Sequence, residues 1–338
     1  MIQPLIAKLF EHKPLTADES EAAMDTIMSG NATQAQIGAY LAALRMKGES
    51  AEEIAGSARA MRAKAIRVQA QHTDLVDIVG TGGDRSGTFN ISTTAAFVVA
   101  GAGATVAKHG NRAASSQSGS ADVLTALGVK VDLHPEQVAR CIDEIGIGFM
   151  FAPVHHPAMK HAAGPRREIA ARTIFNILGP LCNPAGARKQ LLGVFSPALA
   201  PVMAETLRTL GSEHVLVVNG AGHVDELTLD GENTISELHN GQIRNYAITA
   251  SQYGLSRADV DALGGGTPEF NAAITRSILE DKATPARRDV VVFNAGAALY
   301  AADIAPSIAE GITQARAAIT SGRALQKLDA LIALSHSA

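Results

Sequence analysis

The chain has 338 residues, 46% of them hydrophobic and 18% charged, and its 29 basic and 33 acidic side chains leave a net charge of −4. That apolar share, with 31 Gly and 13 Pro, excludes a disordered or collagen-like chain, and the length allows one large or two smaller domains. No run of five Lys/Arg supports a general nucleic-acid surface, Cys141 and Cys182 make no disulfide framework, and the longest apolar stretch, 95–107, is too short for a bilayer span.

The opening Met1-Ile-Gln-Pro-Leu-Ile6 lacks the basic start and small-residue cleavage site of a signal peptide, so a soluble cytoplasmic protein is expected. The first seventy residues read as helices. Thr16 with Glu19 is a capping box, and its helix runs through Ala22, Ala23, Ile27 and Met28 to a stop at Gly30. Thr33 with Gln36 opens a second, carrying Ile37, Tyr40, Leu41 and Leu44 to Gly48; Ser50 with Glu53 opens a third, through Ile54, Ala58 and Met61. These residues predict a small helical unit.

From Asp74 the pattern changes. A short β-branched run predicts a strand over 75–79, then a glycine loop over 80–87, an apolar helix over 91–101, a strand over 104–107 and a helix over 120–127. Cys141 falls on an amphipathic helix with Val138 and Ile142 and is assigned to the core. Residues 157–184, rich in Pro, Arg and Ala, read as a crossover or hinge. Later strands are expected at 191–195, 214–219, 226–229 and 290–294, with helices at 199–210 and from 297 onward. Strands alternating with helices predict a mostly parallel sheet covered on both faces.

Three segments carry chemistry. The first is Gly80-Thr-Gly-Gly-Asp84, continuing to Asn90-Ile-Ser-Thr93, between a predicted strand and a predicted helix. Such a loop either is a tight turn whose hydroxyls merely cap, or brings backbone amides and a helix N-terminus to an anionic ligand, with Asn90, Ser92 and Thr93 near phosphate or Mg²⁺. No Gly-Lys-Ser/Thr ending makes it a P-loop, and Arg85 stands where the dinucleotide fingerprint needs its third glycine. The second segment, Lys108-His-Gly-Asn-Arg-Ala-Ala-Ser-Ser116 leading to Ser120, again joins strand to helix and offers positive charge with several donors. Two such loops on neighbouring strands suit a ligand phosphorylated at both ends. The third, Asp225-Glu226, supplies hard carboxylate oxygens, which reach one cation together only from an irregular loop or strand end. His155, His156 and His161 match no common zinc spacing and are read as structural or substrate-lining.

Taken in order with Arg172-Thr-Ile-Phe-Asn-Ile-Leu-Gly-Pro180 and Ala43-Leu-Arg-Met-Lys-Gly48, these motifs resemble the anthranilate phosphoribosyltransferase family over nearly the whole chain. The resemblance implies a nucleoside phosphorylase/phosphoribosyltransferase type of α/β fold. Residues 1–72, joined by part of 166–190, would form a helical domain that makes a homodimer contact, and 73–338 a larger α/β domain with a mostly parallel central sheet. It implies transfer of a phosphoribosyl group from phosphoribosyl pyrophosphate to the amine of anthranilate, in tryptophan biosynthesis, with two Mg²⁺ ions and no general base. Carried over by position, Gly80, Gly83, Asp84, Thr88, Asn90, Ile91, Ser92 and Thr93 would bind the pyrophosphate and ribose. Lys108, His109, Gly110, Asn111, Arg112, Ala113, Ala114, Ser115, Ser116 and Ser120 would line the donor's phosphate side. Ser92 would complete one Mg²⁺ site and Asp225 with Glu226 the other. Gly80, Asn111 and Arg166 would meet anthranilate, and His109 either touches it or makes a loop hydrogen bond. Ala170 and Cys182 stand where the family pattern has Gly and Thr. A pyrimidine nucleoside phosphorylase would carry a different phosphate loop, and a nucleic-acid-binding relative a basic groove without Arg166.

Overall fold

The computed structural model describes residues 2–113 and 117–337. The first helix, α1 (Gln3–Phe10), has a proline in its opening turn, where no amide partner is needed. The next three, α2 (Ala17–Met28), α3 (Gln34–Lys47) and α4 (Ala51–Lys64), each begin on the complete reciprocal box read from the sequence. Glu53 does more than cap. It accepts from Leu15 N at 2.9 Å and pairs with Lys47 at 2.8 Å inside the unit, so one carboxylate ties a linker and two helices. Helices α2 and α4 cross so tightly that a Cβ on Gly56 would lie 1.9 Å from the Ala17 carbonyl oxygen.

Strand β1 (Leu75–Gly80) opens the second unit, followed by α5 (Ile91–Gly101), β2 (Thr105–Gly110), α6 (Ser120–Ala126), α7 (Pro135–Ile145) and β3 (Ile147–Phe151). Short helices α8 (Ala152–His155), α9 (Ala163–Ile169) and α10 (Phe175–Leu178) lead to β4 (Lys189–Gly193), α11 (Leu199–Thr209) and β5 (His214–Asn219). A hairpin of β6 (Glu232–His239) and β7 (Gln242–Thr249) follows, then α12 (Pro268–Leu279), α13 (Pro285–Ala301), α14 (Ile308–Thr320) and α15 (Arg323–Ser337). The sheet order is β3-β2-β1-β4-β5-β6-β7, parallel from β3 to β5 and antiparallel at β6 and β7.

Successive side chains of the buried strands enter different cores, as a two-residue period requires. Leu191, Leu216 and Val218 join Phe97, Val106 and Phe293 on one face. Leu192, Val215 and Val217 join Met203 and the helical unit's Tyr40 and Leu44 on the other. Segment 157–184 is a crossover that packs Ile174, Phe175, Leu178 and Cys182 into this second core, and Arg62 Nε donates to Leu181 O at 2.6 Å. Cys141 is buried on α7 with Val138 and Ile142, as expected.

Two predicted strands are not strands. Residues 226–229 form a loop, because Leu227 exchanges its backbone bonds with the Asn294 side chain, both at 2.9 Å, rather than with a neighbouring strand. Residues 290–294 lie inside α13, a helix buried on almost every side, so its valine run shows no polar face to set a period of 3.6. The structure also adds β3 and the β6–β7 hairpin, whose turn residues Asn240 (φ 52) and Gly241 (φ 74) are both left-handed.

Candidate active site

Chain order runs outward in opposite directions from β1 and β4, toward β3 on one side and β5 on the other. Their shared boundary is therefore the topological switch point, where open α/β sheets leave a crevice beyond the strand C-termini. Both strands end there in glycine, Gly80 facing Gly193. The loop after β5 folds back across them. A Cβ on Gly80 would stand 2.5 Å from Asp225 Oδ2, and one on Gly193 would stand 1.6 Å from Asp225 O. Only glycine at both positions lets the acidic loop lie this close to the strand ends.

Three carboxylates meet at this point. Asp225 Oδ2 accepts from Gly82 N at 2.6 Å, Asp225 N donates to Asp84 Oδ2 at 3.3 Å, and Glu226 Oε1 accepts from Ser92 N at 3.1 Å. The glycine loop, the start of α5 and the acidic pair are thus one contiguous surface. Burial, then repulsion from Asp84, pushes Asp225 up to about 7; burial, then repulsion from Asp225, pushes Glu226 up to about 8. Protons held at such values mark a site short of positive charge. The oxygens are the hard donors that Mg²⁺ prefers, so the residues present fit that ion.

The other predicted residues fall around this surface. Gly83 is left-handed (φ 73), and its carbonyl accepts from the Arg172 guanidinium, which lies 4.0 Å over the Phe195 ring. Thr88 bridges to Gly264, and Asn90 exchanges side-chain bonds with Ser118, 3.1 Å to its carbonyl and 3.2 Å from its hydroxyl. Ile91 and Thr93 are buried, so they face the core beneath the loop. In the second loop, Asn111 N donates to Ser120 Oγ at 3.2 Å, Gly110 closes β2 below it, and Asp122 accepts from Ala113 N at 2.8 Å. Ala114, Ser115 and Ser116 lie outside the described residues.

Four placements refine the sequence reading. Lys108 does not extend into the loop; it is buried, donates to Ile78 O and lies within electrostatic reach of Asp77 and Glu226. Arg112 is exposed but already paired, at 2.8 Å from Asp122. His109 points to the opposite face from Lys108, 5.1 Å from the His156 ring, and burial holds it neutral, down to about 3. Arg166, on α9, is half-buried with its guanidinium 5.1 Å over the Phe175 ring, and burial lowers its pKa. Just beyond it Ala170 takes a left-handed φ of 49 at the helix end, where glycine is the natural residue.

Several contributors were not among the predicted site residues. Buried Asp77 accepts from His109 N at 3.2 Å and from Asn183 Nδ2 at 2.7 Å, and burial raises it to about 6. Asn271 Nδ2 donates to Asn90 Oδ1 at 2.9 Å and so fixes the start of α5 from the far side. Gly193 had a readable signal, since it ends a buried apolar strand just as Gly80 does.

This architecture is that of a two-unit glycosyl transferase. Residues 72–325 match the model described as "Glycosyl transferase family, a/b domain" and residues 3–65 that described as "Glycosyl transferase family, helical bundle domain". Over 99% of both chains it is 56% identical to the anthranilate phosphoribosyltransferase of Chloroflexus aurantiacus, and 52% identical to that of Nitrobacter hamburgensis. Its structure matches the crystal structure of the Thermus thermophilus enzyme of that name with a TM-score of 0.93 at 46% identity, covering 98% of this chain and 99% of that one. The Saccharomyces cerevisiae enzyme, solved in complex with PRPP and Mg, matches with a TM-score of 0.91 at 28% identity, covering 100% and 98%. The chain belongs to the anthranilate phosphoribosyltransferase family.

Proposed function

We infer that this chain transfers the phosphoribosyl group of phosphoribosyl pyrophosphate to the amine of anthranilate and releases pyrophosphate, as a step of tryptophan biosynthesis. The observation that carries the reading is the acidic loop of Asp225 and Glu226 pressed onto Gly80 and Gly193 beside the amide-rich 80–93 loop. In the reaction the bond from C1 to the pyrophosphate oxygen breaks while the amine nitrogen bonds C1. The new anilinium-type nitrogen is acidic enough to lose its proton to water or to the departing pyrophosphate. An aromatic amine is already nucleophilic at neutral pH, so the difficult event is departure of the anion.

Bound Mg²⁺ supplies positive charge for that leaving group. In this reading Ser92 would complete one Mg²⁺ site and Asp225 with Glu226 would form the other. The amides at the start of α5 and around Gly82 and Gly83 receive pyrophosphate oxygens, an electrostatic contribution of the kind that dominates many rate enhancements. Gly110 to Ser116 and Ser120 hold the sugar's phosphate end. Lys108 acts from below, as a counter-charge to Asp77 and Glu226. Gly80, Asn111 and Arg166 orient anthranilate, the last by pairing its planar fork with the carboxylate, and positioning supplies much of the remaining acceleration. The helical unit would contact a second copy; its exposed Phe10 and Met46 support that. Two unpaired cysteines suit the reducing cytoplasm.

The test is direct. Purified protein with Mg²⁺ and phosphoribosyl pyrophosphate should consume anthranilate, seen as loss of its fluorescence. Arg166→Ala should raise the KM for anthranilate by about 10–100-fold, the worth of a charge-assisted bond, with that for the donor unchanged. Absence of turnover by the wild type would remove the assignment. Weakened donor binding alone in Arg166→Ala would misplace the acceptor.

A further inference from the structure

At the other end of the sheet a second polar cluster stands apart from this chemistry. His214 opens β5 and pairs in register with His239, the last residue of β6, while Glu237 lies two residues back along β6. A two-residue step keeps Glu237 and His239 on one face, and the pairing puts His214 on that face too. Five steps of about 3.3 Å along β5 put the cluster roughly 17 Å from the strand ends that carry Asp225.

The three side chains converge. Glu237 Oε1 lies 3.5 Å from His214 Nε2 and 3.9 Å from His239 Nδ1, and one ligand atom from each residue falls within 4.8 Å of the others. Ligands held about 2.1 Å from a tetrahedral ion are themselves about 3.4 Å apart. His214 is 1% exposed, and its Nε2 makes no hydrogen bond of ordinary geometry, Glu237 Oε1 at 3.5 Å being the group it faces. Its other nitrogen, Nδ1, lies 2.6 Å from Asp303 Oδ1. A proton held there leaves the Nε2 lone pair directed at the cluster, which is how a carboxylate orients a metal-binding histidine from behind. Tyr300 OH donates to the same Glu237 Oε1 at 2.7 Å and so fixes the position of that carboxylate.

We propose that His214, Glu237 and His239 form a binding site for a transition-metal ion of the Zn²⁺ type, with water in the fourth position. Two imidazoles and one carboxylate select such an ion over Mg²⁺, which prefers oxygen throughout. One movement completes the shell. The His239 ring lies parallel to that of His214, 4.0 Å away at 4°, so it must turn to direct Nδ1 at the ion. Its side chain is 40% exposed beside the hairpin turn, which leaves room for that rotation and for the water. The bound ion would join β5 to β6 and, through Asp303, to the end of α13.

The full-length protein, stripped with a chelator and kept in excess Mg²⁺ to occupy the carboxylates of the other edge, is titrated with Zn²⁺, and with Co²⁺ for its visible absorption. One ion per chain, a raised Tm and the absorption of a tetrahedral Co²⁺ complex are expected. Asp303→Asn should weaken binding by about 10–100-fold, as for an orienting partner, and His239→Ala by more than that. His239→Ala should keep its turnover, which also reports that it is folded. No stoichiometric binding by the wild type, or equal binding by the wild type and both variants, overturns the site.

Discussion

The two ends of one sheet use the same residue types in opposite ways. At the N-terminal end, cations are supplied: Lys189 pairs with Asp74 at 2.7 Å and Asp303 at 2.9 Å, and Arg188 with Glu213 at 2.8 Å. There the neighbouring His214, against the effect of burial, and then Tyr300 hold Glu237 down to about 2. Burial raises Asp303, but Lys189 and His214 more than reverse it and leave it lowered. At the C-terminal end, Asp84, Asp225 and Glu226 gather with no ion pair among the described residues, and the latter two rise to about 7 and about 8. The direction of the shift separates carboxylates already neighboured by donors and cations from Asp225 and Glu226, which have no ion-pair partner among the described residues.

The contrast breaks most visibly at the acidic loop. Asp225→Asn or Glu226→Gln should lower kcat/KM on the order of 10²–10³-fold, as removal of an electrostatic stabiliser does, and weaken the dependence on Mg²⁺. Rates measured across a Mg²⁺ titration check this; a variant as active as wild type would mean the pair is structural. Gly193→Ala places its Cβ 1.6 Å from Asp225 O, so it should cost about 1–3 kcal/mol in denaturant unfolding and displace the loop, with turnover lost alongside.

A pH series sharpens the comparison. Asp225 and Glu226 bind protons more tightly in the folded chain than in the unfolded one, where carboxylates titrate near 4. Their contribution to stability is full below about pH 4 and is lost as pH rises through about 7 to 8. The metal-free Tm should therefore fall between about pH 4 and pH 8. Added Mg²⁺ should raise Tm most at the upper end, because its ligands must be deprotonated. The smallest effect belongs to the opposite edge: Lys189→Met should cost about 0–1 kcal/mol, since Asp74 is 69% and Asp303 46% exposed, with turnover unchanged.

Much of this was legible in the residues because local rules acted alone. Thr16, Thr33 and Ser50 announce their helices through bonds made within three residues, and both phosphate-type loops stand between elements whose periodicity is clear. Legibility failed where distant partners decide. Val290 to Asn294 looks like a strand until the helices around α13 are known. Leu227 is kept out of a sheet by Asn294, which is 67 residues away. The hairpin did carry a local sign, Asn240-Gly241, among polar strand residues whose alternation is weak. The site was readable as motifs, yet the buried seat of Lys108, the pairing of Arg112 and the support from Asp77 and Asn271 depend on contacts across the fold.

The most direct measurement is calorimetric titration of phosphoribosyl pyrophosphate into the wild type and the Asp225→Asn/Glu226→Gln double variant, each with and without Mg²⁺. Tight binding only in the wild type with Mg²⁺ is the predicted result. Equal affinity in the double variant, or in the wild type without the ion, would contradict a site built to take its missing positive charge together with its ligand.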